Sequence, residues 1–194
     1  MKRLFLCLLF TVFAFGATAQ NDQPDVLFSR IDRVGGFGGP LFHFTNIDGE
    51  AAFMTGGGGA AIFNRRFYIG GYGMGLSSNT DIDVNGASRR LDFGHGGFWL
   101  GYIIKPNSIV HLNLQSQLGW GGVSFRETQS FPRTQEDGVF VINPMAEIEL
   151  NVARWMRVGL AGGYRMVTGV GLEGLDNDAL NGGNVQLAFK FGWF

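Results

Sequence analysis

The C-terminal end of this chain of 194 residues has the clearest pattern, a strict alternation of apolar and polar positions from Val185 to Trp193. Successive side chains of a β-strand point to opposite faces, so Val, Leu, Phe, Phe and Trp share one face here. The segments 156–167, 140–152, 110–120 and 98–104 alternate in the same way, and their apolar faces carry no charged residue. The pattern therefore predicts five amphipathic strands.

Glycine blurs the pattern in the first part of the chain, where we place three further strands at 35–46, 50–63 and 67–77. Glycine-rich stretches at 35–40 and 56–59 lie inside them. A phosphate-binding loop would need the pattern G-x-x-x-x-G-K-[ST] before a helix, and the chain lacks it. Glycines inside strands are typical of bends and close packing in a small, tightly curved barrel, so we interpret them as structural.

The connections between the eight predicted strands alternate in length. The short links are 64–66, 105–108 and 153–155, and the longer polar stretches are 78–90, 126–137 and 168–182. The link 46–49 is short, but its position in the order groups it with the long stretches. This layout is typical of outer-membrane barrels, which have short periplasmic turns and longer external loops. The predicted fold class is all-β, an eight-stranded antiparallel up-and-down transmembrane β-barrel.

The direction of the two faces decides between a membrane barrel and a soluble, lipocalin-like barrel. The polar faces carry few of the Lys and Glu mixtures of a solvated surface, and the apolar faces carry no charge. A charge at the lipid midplane would cost roughly 2–4 kcal/mol, so the second observation favours lipid outside. Aromatic residues near the predicted strand ends suit the headgroup level. They are Phe67, Tyr68, Tyr102, Trp155, Trp193 and Phe194 at the short turns, and Trp120, Phe125 and Tyr164 farther out.

Eight strands leave an interior that side chains fill, so the polar faces predict a filled polar interior without an aqueous pore. Two carboxylates on one strand lie beside two arginines on the next, with Glu149 diagonal to Arg157 and within its reach. We predict a lumen polar network of Asn143, Glu147, Glu149, Arg157 and Arg165. The paired carboxylates also allow a general acid–base hypothesis, which enclosure inside the barrel disfavours.

The first residues have the features of an export signal. Lys2 and Arg3 precede an apolar run at 4–15, and the small residues at 17–19 offer a cleavage site. The run is shorter than the ~20 residues of a spanning helix, so an N-terminal anchor is the less favoured alternative. We predict a cleaved signal peptide at 1–19, a periplasmic segment at 20–34 and a β-barrel domain at 35–194.

Composition narrows the chemistry of the exported chain. The net charge of −1 gives no basic footprint for nucleic acid. Cys7 is the only cysteine and lies inside the apolar run, so the mature chain has no disulfide or thiolate. Lipidation of Cys7 would leave no hydrophobic segment for export. The histidines His43, His95 and His111 lack metal-ligand spacing, and we expect neither a metal nor a cofactor.

The export signal, the meander and the final aromatic residue resemble small outer-membrane β-barrel proteins of Gram-negative bacteria. The stretch 36–40, with Phe44 and Thr45 and the link 46–49, is similar to a group of short, largely uncharacterised envelope barrels. In that class the barrel-assembly machinery recognises the final aromatic residue. Phe194 is out of phase with the apolar face here, so either Trp193 takes that role or a bulge shifts the phase. The resemblance implies an assembly signal at Trp193 and Phe194 and a location in the outer membrane.

We predict a monomer with a structural or surface-binding role through its extracellular loops, and not an open porin. Its expected partners are outer-membrane lipid and, during insertion, the barrel-assembly machinery. The charged residues of the three long stretches are candidate contacts, although solvated surface is their ordinary role. They are Asp81, Asp83, Arg89 and Arg90, then Glu127, Arg133, Glu136 and Asp137, then Glu173, Asp176 and Asp178.

Two alternatives remain open. Some barrels of the resembled class are enzymes that modify lipid A with serine and histidine near the outer leaflet. His95 with Ser77 and Asp92 is the corresponding hypothesis, whereas His111 lies at the short-turn end, the wrong side for such chemistry. No G-x-S-x-G elbow accompanies them. The other alternative is a soluble barrel that carries a small apolar ligand.

Overall fold

The computed structural model of this chain describes residues 31–84, 87–126, 136–172 and 174–194. The predicted signal peptide with Cys7 lies outside the described residues, as does most of the predicted periplasmic segment. The loop residues Glu127, Arg133 and Glu173 and the side chains of Asp83 and Glu136 also lie outside them.

The described residues form nine strands and one short helix. The strands are β1 (Val34–Ile47), β2 (Glu50–Phe63), β3 (Phe67–Leu76), β4 (Asp81–Val84), β5 (Ala87–Ile104), β6 (Val110–Arg126), β7 (Glu136–Ala153), β8 (Met156–Thr168) and β9 (Gly182–Trp193), and the helix is α1 (Asn177–Leu180). Each long strand pairs with its antiparallel neighbour along the chain, while β1 pairs with β9 and β3 with β5. These pairings close eight strands into a barrel, which confirms the predicted fold class. No described helix has both the length and the apolar character needed to cross a membrane.

The barrel has two distinct ends. The turn end carries the short links 64–66, 105–109 and 154–155 and both the first and last residues of the ring, because Gly36 pairs with Trp193. The opposite end, the loop end, carries the long connections. The link between β1 and β2 at the loop end is a two-residue turn in which Asp48 and Gly49 have φ values of 51° and 82°. Two successive positive φ values match the right-handed twist of the strands that such a turn joins.

The prediction of a loop over 78–90 is wrong. Most of that stretch is the hairpin of β4 and β5, in which Asp81 pairs with Arg90. The inward-facing residues Ile82 and Leu91 are 3% and 1% exposed, so burial of apolar side chains holds the hairpin. Charged residues at the neighbouring positions concealed this alternation in the sequence.

The outward faces of the strands are apolar, as the alternation predicts, and the inward faces carry the buried polar side chains together with an apolar core. Leu114 is 48% exposed and Ile148 61%, whereas Gln115 is 5% and Glu147 0% exposed on the same strands. The outer aromatic residues at the turn end include Trp155 at 59% and Trp193 at 84%. The outer surface therefore has the composition that lipid requires.

Three of the aromatic residues predicted at the headgroup level pack against the interior instead: Phe125, Phe194 and the most deeply buried of them, Tyr68. Its side chain is fully buried inside the barrel, and its hydroxyl donates a hydrogen bond to Oε1 of Gln115 at 2.8 Å. Position 68 lies on the inward face of β3, in phase with the buried residues Tyr72 and Met74. The prediction for Tyr68 is wrong for this reason.

An apolar group of buried side chains closes the interior at the loop end. Its members come from the loop-end parts of the strands and from the connection 169–181. They are Ile47, Met54, Ile82, Leu91, Val123, Val139, Val141, Val167, Leu172, Leu175 and Leu180. This apolar cap covers the polar layer that lies nearer the turn end.

Candidate functional site

A buried ion cluster occupies the turn-end half of the interior. The Nζ atom of Lys190 lies 2.5 Å from Oε1 of Glu147 and 2.5 Å from Oε2 of Glu149. Arg157 donates from Nη1 to Oε1 of Glu149 at 2.8 Å, and Nε2 of His111 lies 2.9 Å from the same oxygen. None of these five residues is more than 5% exposed. We call this group the Lys190 cluster.

Neutral side chains complete the hydrogen bonding of the Glu147 carboxylate. Asn113 donates from Nδ2 to Oε1 at 3.0 Å, and Gln115 donates from Nε2 to Oε2 at 3.0 Å. Gln115 in turn accepts at its Oε1 from Nε1 of Trp99 at 2.6 Å and from the Tyr68 hydroxyl. Burying a charge is costly unless it is paired and hydrogen-bonded, and both carboxylate oxygens meet that condition.

Three aromatic rings surround the ammonium group of Lys190. The centroids of Phe37, Trp99 and Tyr68 lie 5.4, 5.5 and 5.8 Å from Nζ. Such distances allow cation–π attraction, which is stronger when the cation is desolvated. The aromatic rings therefore add to the two carboxylates in holding the lysine in its charged form.

The C-terminal residue closes this group at the turn end. The ring of Phe194 stacks on Phe37 with centroids 6.1 Å apart and lies 3.9 Å from Cζ of Arg157. Strand β9 pairs with β8 from Gly182 to Phe191 without a register shift, so no bulge moves the phase there. Phe194 points inward and Trp193 outward, and the role of these two residues in assembly stays a prediction.

A chain of amides crosses the middle of the barrel. Nε2 of His43 donates to Oε1 of Gln186, which also accepts from Nε2 of Gln117 at 3.1 Å. Asn143 donates to Oε1 of Gln117 at 3.4 Å, and Asn184 donates to Oδ1 of Asn143 at 2.8 Å. These contacts join β1, β6, β7 and β9 through the lumen.

Arg165 lies apart from the other members of the predicted polar network. It donates from Nε to the carbonyl oxygen of Leu180 at 2.8 Å and from Nη2 to that of Asn46 at 3.2 Å. Its guanidinium also lies 5.4 Å from the ring of Phe93. The residue is 1% exposed and holds the helix α1 and the first turn against the loop end.

The predicted network is thus divided among three places. Glu147, Glu149 and Arg157 meet in the Lys190 cluster, Asn143 belongs to the amide chain, and Arg165 lies at the loop end. Sequence reasoning missed Lys190, the central cation. Its position in the alternation of β9, between Phe189 and Phe191, was the signal that it faces inward.

The residues of the lipid A enzyme hypothesis do not come together. His95 is 5% exposed, and its Nδ1 is hydrogen-bonded to the Tyr72 hydroxyl at 2.9 Å. Ser77 is exposed, and its hydroxyl oxygen Oγ lies 2.6 Å from Oγ1 of Thr55. Asp92 is three residues from His95 on β5, and the alternation of that strand puts it on the opposite face. Among the described residues, no three His, Cys, Asp or Glu side chains are arranged to hold a metal ion.

Several glycines make room for the interior side chains. A Cβ atom at Gly159 would lie 2.7 Å from each carboxylate oxygen of Glu147. At Gly119 it would lie 2.5 Å from the Tyr72 hydroxyl, and at Gly101 it would overlap the ring of Tyr68. Glycine at these positions therefore sets the width of the space that the polar layer fills.

Comparison with known proteins gives the fold its context. No protein-family model matches the chain, and no curated protein matches it in sequence. Neisserial surface protein A (NspA) superposes with a TM-score of 0.53 at 12% identity, over 82% of this chain and 96% of NspA. Ail, the attachment invasion locus protein of Yersinia pestis, gives a TM-score of 0.49 at 13% identity, over 82% of this chain and 97% of Ail. The chain has the fold of the small eight-stranded outer-membrane β-barrels of Gram-negative bacteria.

Proposed function

We propose that this protein spans the outer membrane as a closed, filled barrel that acts structurally or through contacts at its loop end, without conducting solutes. The observation that carries the proposal is the filled interior inside an apolar outer wall. The Lys190 cluster, the amide chain and the apolar cap follow one another along the barrel axis. A protein built to pass solutes needs an open lumen at each of these levels.

The outer wall supports the membrane location. Leu114, Ile148 and Leu160 are 48%, 61% and 56% exposed at the middle of their strands, where water would disfavour such a continuous surface. The tryptophans at the turn end suit the boundary between acyl chains and headgroups. In a closed ring each barrel strand is paired on both sides, so no open strand edge exposes unpaired backbone N–H and C=O groups to lipid.

The length of three strands supports a role for the loop end. Strands β5, β6 and β7 have 18, 17 and 18 residues. A spanning strand needs about 9–11 residues, so the excess extends roughly 20 Å beyond the bilayer core at a rise of about 3.3 Å per residue. The apolar cap packs inside this extension and makes the extended strands rigid. Recognition residues are commonly carried on loops that a rigid scaffold positions.

The two alternatives receive less support. A soluble carrier of an apolar ligand needs its apolar faces inside, and they face outward here. The lipid-modifying enzyme needs a nucleophile or base near His95, and Ser77 and Asp92 are turned elsewhere. Unchanged acyl chains in lipid A from cells with the His95→Ala variant, compared with wild type, would remove the enzyme hypothesis.

Three measurements on the exported protein test the proposal together. We expect the detergent-extracted protein to migrate differently on gels before and after heating, because a closed barrel resists unfolding by detergent alone. Protease added to intact cells should cleave only at the loop end, and planar bilayers with the purified protein should show no stable conductance. Recovery in the aqueous fraction without detergent contradicts the membrane location, and a stable open channel contradicts the filled interior.

A further inference from the structure

The turn end of the barrel carries an excess of positive charge. Its exposed or half-buried cations are Arg33, Arg65, Arg66, Lys105 and Arg154. Outside the Lys190 cluster, Asp32 is the only acidic side chain among the described residues at this end. The loop end has the opposite balance at its surface: its exposed or half-buried described side chains include Asp48, Glu50, Asp81, Asp137, Asp176 and Asp178 against Arg89 and Arg90.

Part of this positive charge lines a cleft across the turn end. The cleft has a volume of about 490 Å³ and contains Arg65, Arg154 and Arg157, with Phe194 beside them. A second cleft of about 400 Å³, which shares Arg65, contains Arg66 and Lys105. Neither cleft is lined by an Asp or Glu side chain, although the Arg157 guanidinium in the first cleft is already paired with Glu149 of the Lys190 cluster.

The lining of the first cleft combines a buried arginine with an arginine in a tight turn. The Nε–H group of Arg157 is buried and has no hydrogen-bond partner among the described residues, although Arg157 is only 4% exposed. Buried donors are nearly always paired, so this donor is an exception within the Lys190 cluster. Asn64 and Arg65 have φ values of 50° and 59°, the two successive positive values of the tight turn between β2 and β3. Arg65 is also held across the cleft by a hydrogen bond of 3.3 Å from Nη1 to Oδ1 of Asn107.

Exposed aromatic residues put this cleft at the level of lipid headgroups. Trp155 follows Arg154 directly, is 59% exposed and stacks on Phe191 with centroids 6.0 Å apart. Trp193, 84% exposed, precedes Phe194 at the edge of the cleft. A ligand in the cleft meets guanidinium groups, and the two tryptophans beside the lining residues Arg154 and Phe194 mark the headgroup level. A phospholipid matches both, because its phosphate can reach the arginines while its acyl chains follow the apolar outer wall.

We propose that the turn end binds the headgroup of an anionic phospholipid in the adjoining leaflet, with Arg65 and Arg154 as the phosphate ligands. The inference rests on the membrane location proposed above. The planar fork of an arginine matches the oxygens of a phosphate group, and two or more forks around one cleft favour a negatively charged headgroup over a zwitterionic one.

Lipid competition in nanodiscs tests the proposal on the full mature protein. Discs of phosphatidylcholine with a minor fraction of phosphatidylglycerol are prepared, and native mass spectrometry counts the lipids that the released protein retains. We expect enrichment of phosphatidylglycerol on the wild type. Each cation near a membrane surface contributes about fivefold to anionic lipid binding, so Arg65→Gln with Arg154→Gln should lower the enrichment by more than about tenfold. Both residues lie outside the Lys190 cluster, so the fold tolerates their loss.

The matched control removes the same charge from the loop end through Arg89→Gln with Arg90→Gln. This control should leave the enrichment within about twofold of wild type. The loop end and the turn end adjoin opposite leaflets, so a charge removed from the loop end does not act on lipids at the turn end. Equal loss in both double variants, or no enrichment on the wild type, overturns the proposal. Displacement of the lipid by millimolar inorganic phosphate assigns the cleft to a soluble anion and also overturns it. A protein that fails to enter nanodiscs and does not show heat-dependent migration contradicts the membrane location instead.

Discussion

Replacing Lys190 by methionine tests whether the ion cluster holds the barrel interior together. The substitution removes the cation that bridges Glu147 and Glu149 and keeps a side chain of similar length. Arg157 still pairs with Glu149, but the structure gives Glu147 only Asn113 and Gln115 as remaining partners. The variant therefore leaves one carboxylate buried without a counter-ion.

The magnitude follows from this loss. Removing one partner of a buried ion pair costs about 3–5 kcal/mol, because the other charge stays desolvated. The loss of attraction to Phe37, Tyr68 and Trp99 adds up to about 2 kcal/mol, which contacts between the methionine sulfur and the rings partly restore. We expect Lys190→Met to lower the free energy of unfolding by about 3–5 kcal/mol.

A double variant separates charge from shape. Lys190→Met together with Glu147→Gln returns the cluster to a balanced pair, Arg157 with Glu149. Its cost should be smaller than that of Lys190→Met alone, with a coupling of about 2 kcal/mol or more between the two positions. The control is Lys105→Met at an exposed turn position, where we expect a change within about 0.5 kcal/mol.

Urea unfolding of the protein in lipid vesicles, followed by tryptophan fluorescence and by gel migration, measures these differences. Trp99 adjoins Lys190, so the second probe guards against a local spectral change. A loss below about 1 kcal/mol for Lys190→Met, or a double variant whose cost equals the sum of the single ones, would refute the reasoning.

Three further outcomes are expected. Gly159→Ala should destabilise the barrel by about 1–3 kcal/mol, because its new Cβ would collide with the Glu147 carboxylate. Gly162→Ala on the same strand is the control and should be neutral, since its Cβ would have nothing within 4 Å; the urea midpoints of the two variants are compared. Phe194→Ala removes the ring that covers Arg157 and should cost about 1–2 kcal/mol in the same assay, and an unchanged midpoint would contradict that packing role. Leu114→Arg on the outer wall should cost roughly 2–4 kcal/mol in vesicles, and an unaffected barrel there would argue that this face does not meet lipid.

The alternation in the sequence predicts the eight strands of the barrel, most of their faces and the pairing of neighbouring charges, but it misses the hairpin of β4 and β5 and the inward face of Tyr68. Glu149 and Arg157 meet because they lie diagonally on adjacent strands, which is a local relationship. Lys190 reaches Glu147 across β8, and no rule for neighbouring strands connects two residues through a lumen. The partners of Arg165 are backbone carbonyl oxygens that the chain brings inward at its loop end, where the sequence alone predicts only a polar connection.

The distribution of the Lys190 cluster along the chain has a consequence for how the barrel forms. Both carboxylates lie on β7, Arg157 on β8 and Lys190 on β9, so the last three strands contain a balanced set of charges by themselves. The rings around Lys190 come from β1, β3 and β5. A C-terminal sheet of three strands can therefore balance the charges at the turn-end half of its inner surface, and the final seam between β1 and β9 then closes beside Phe37 over a charge-balanced cluster.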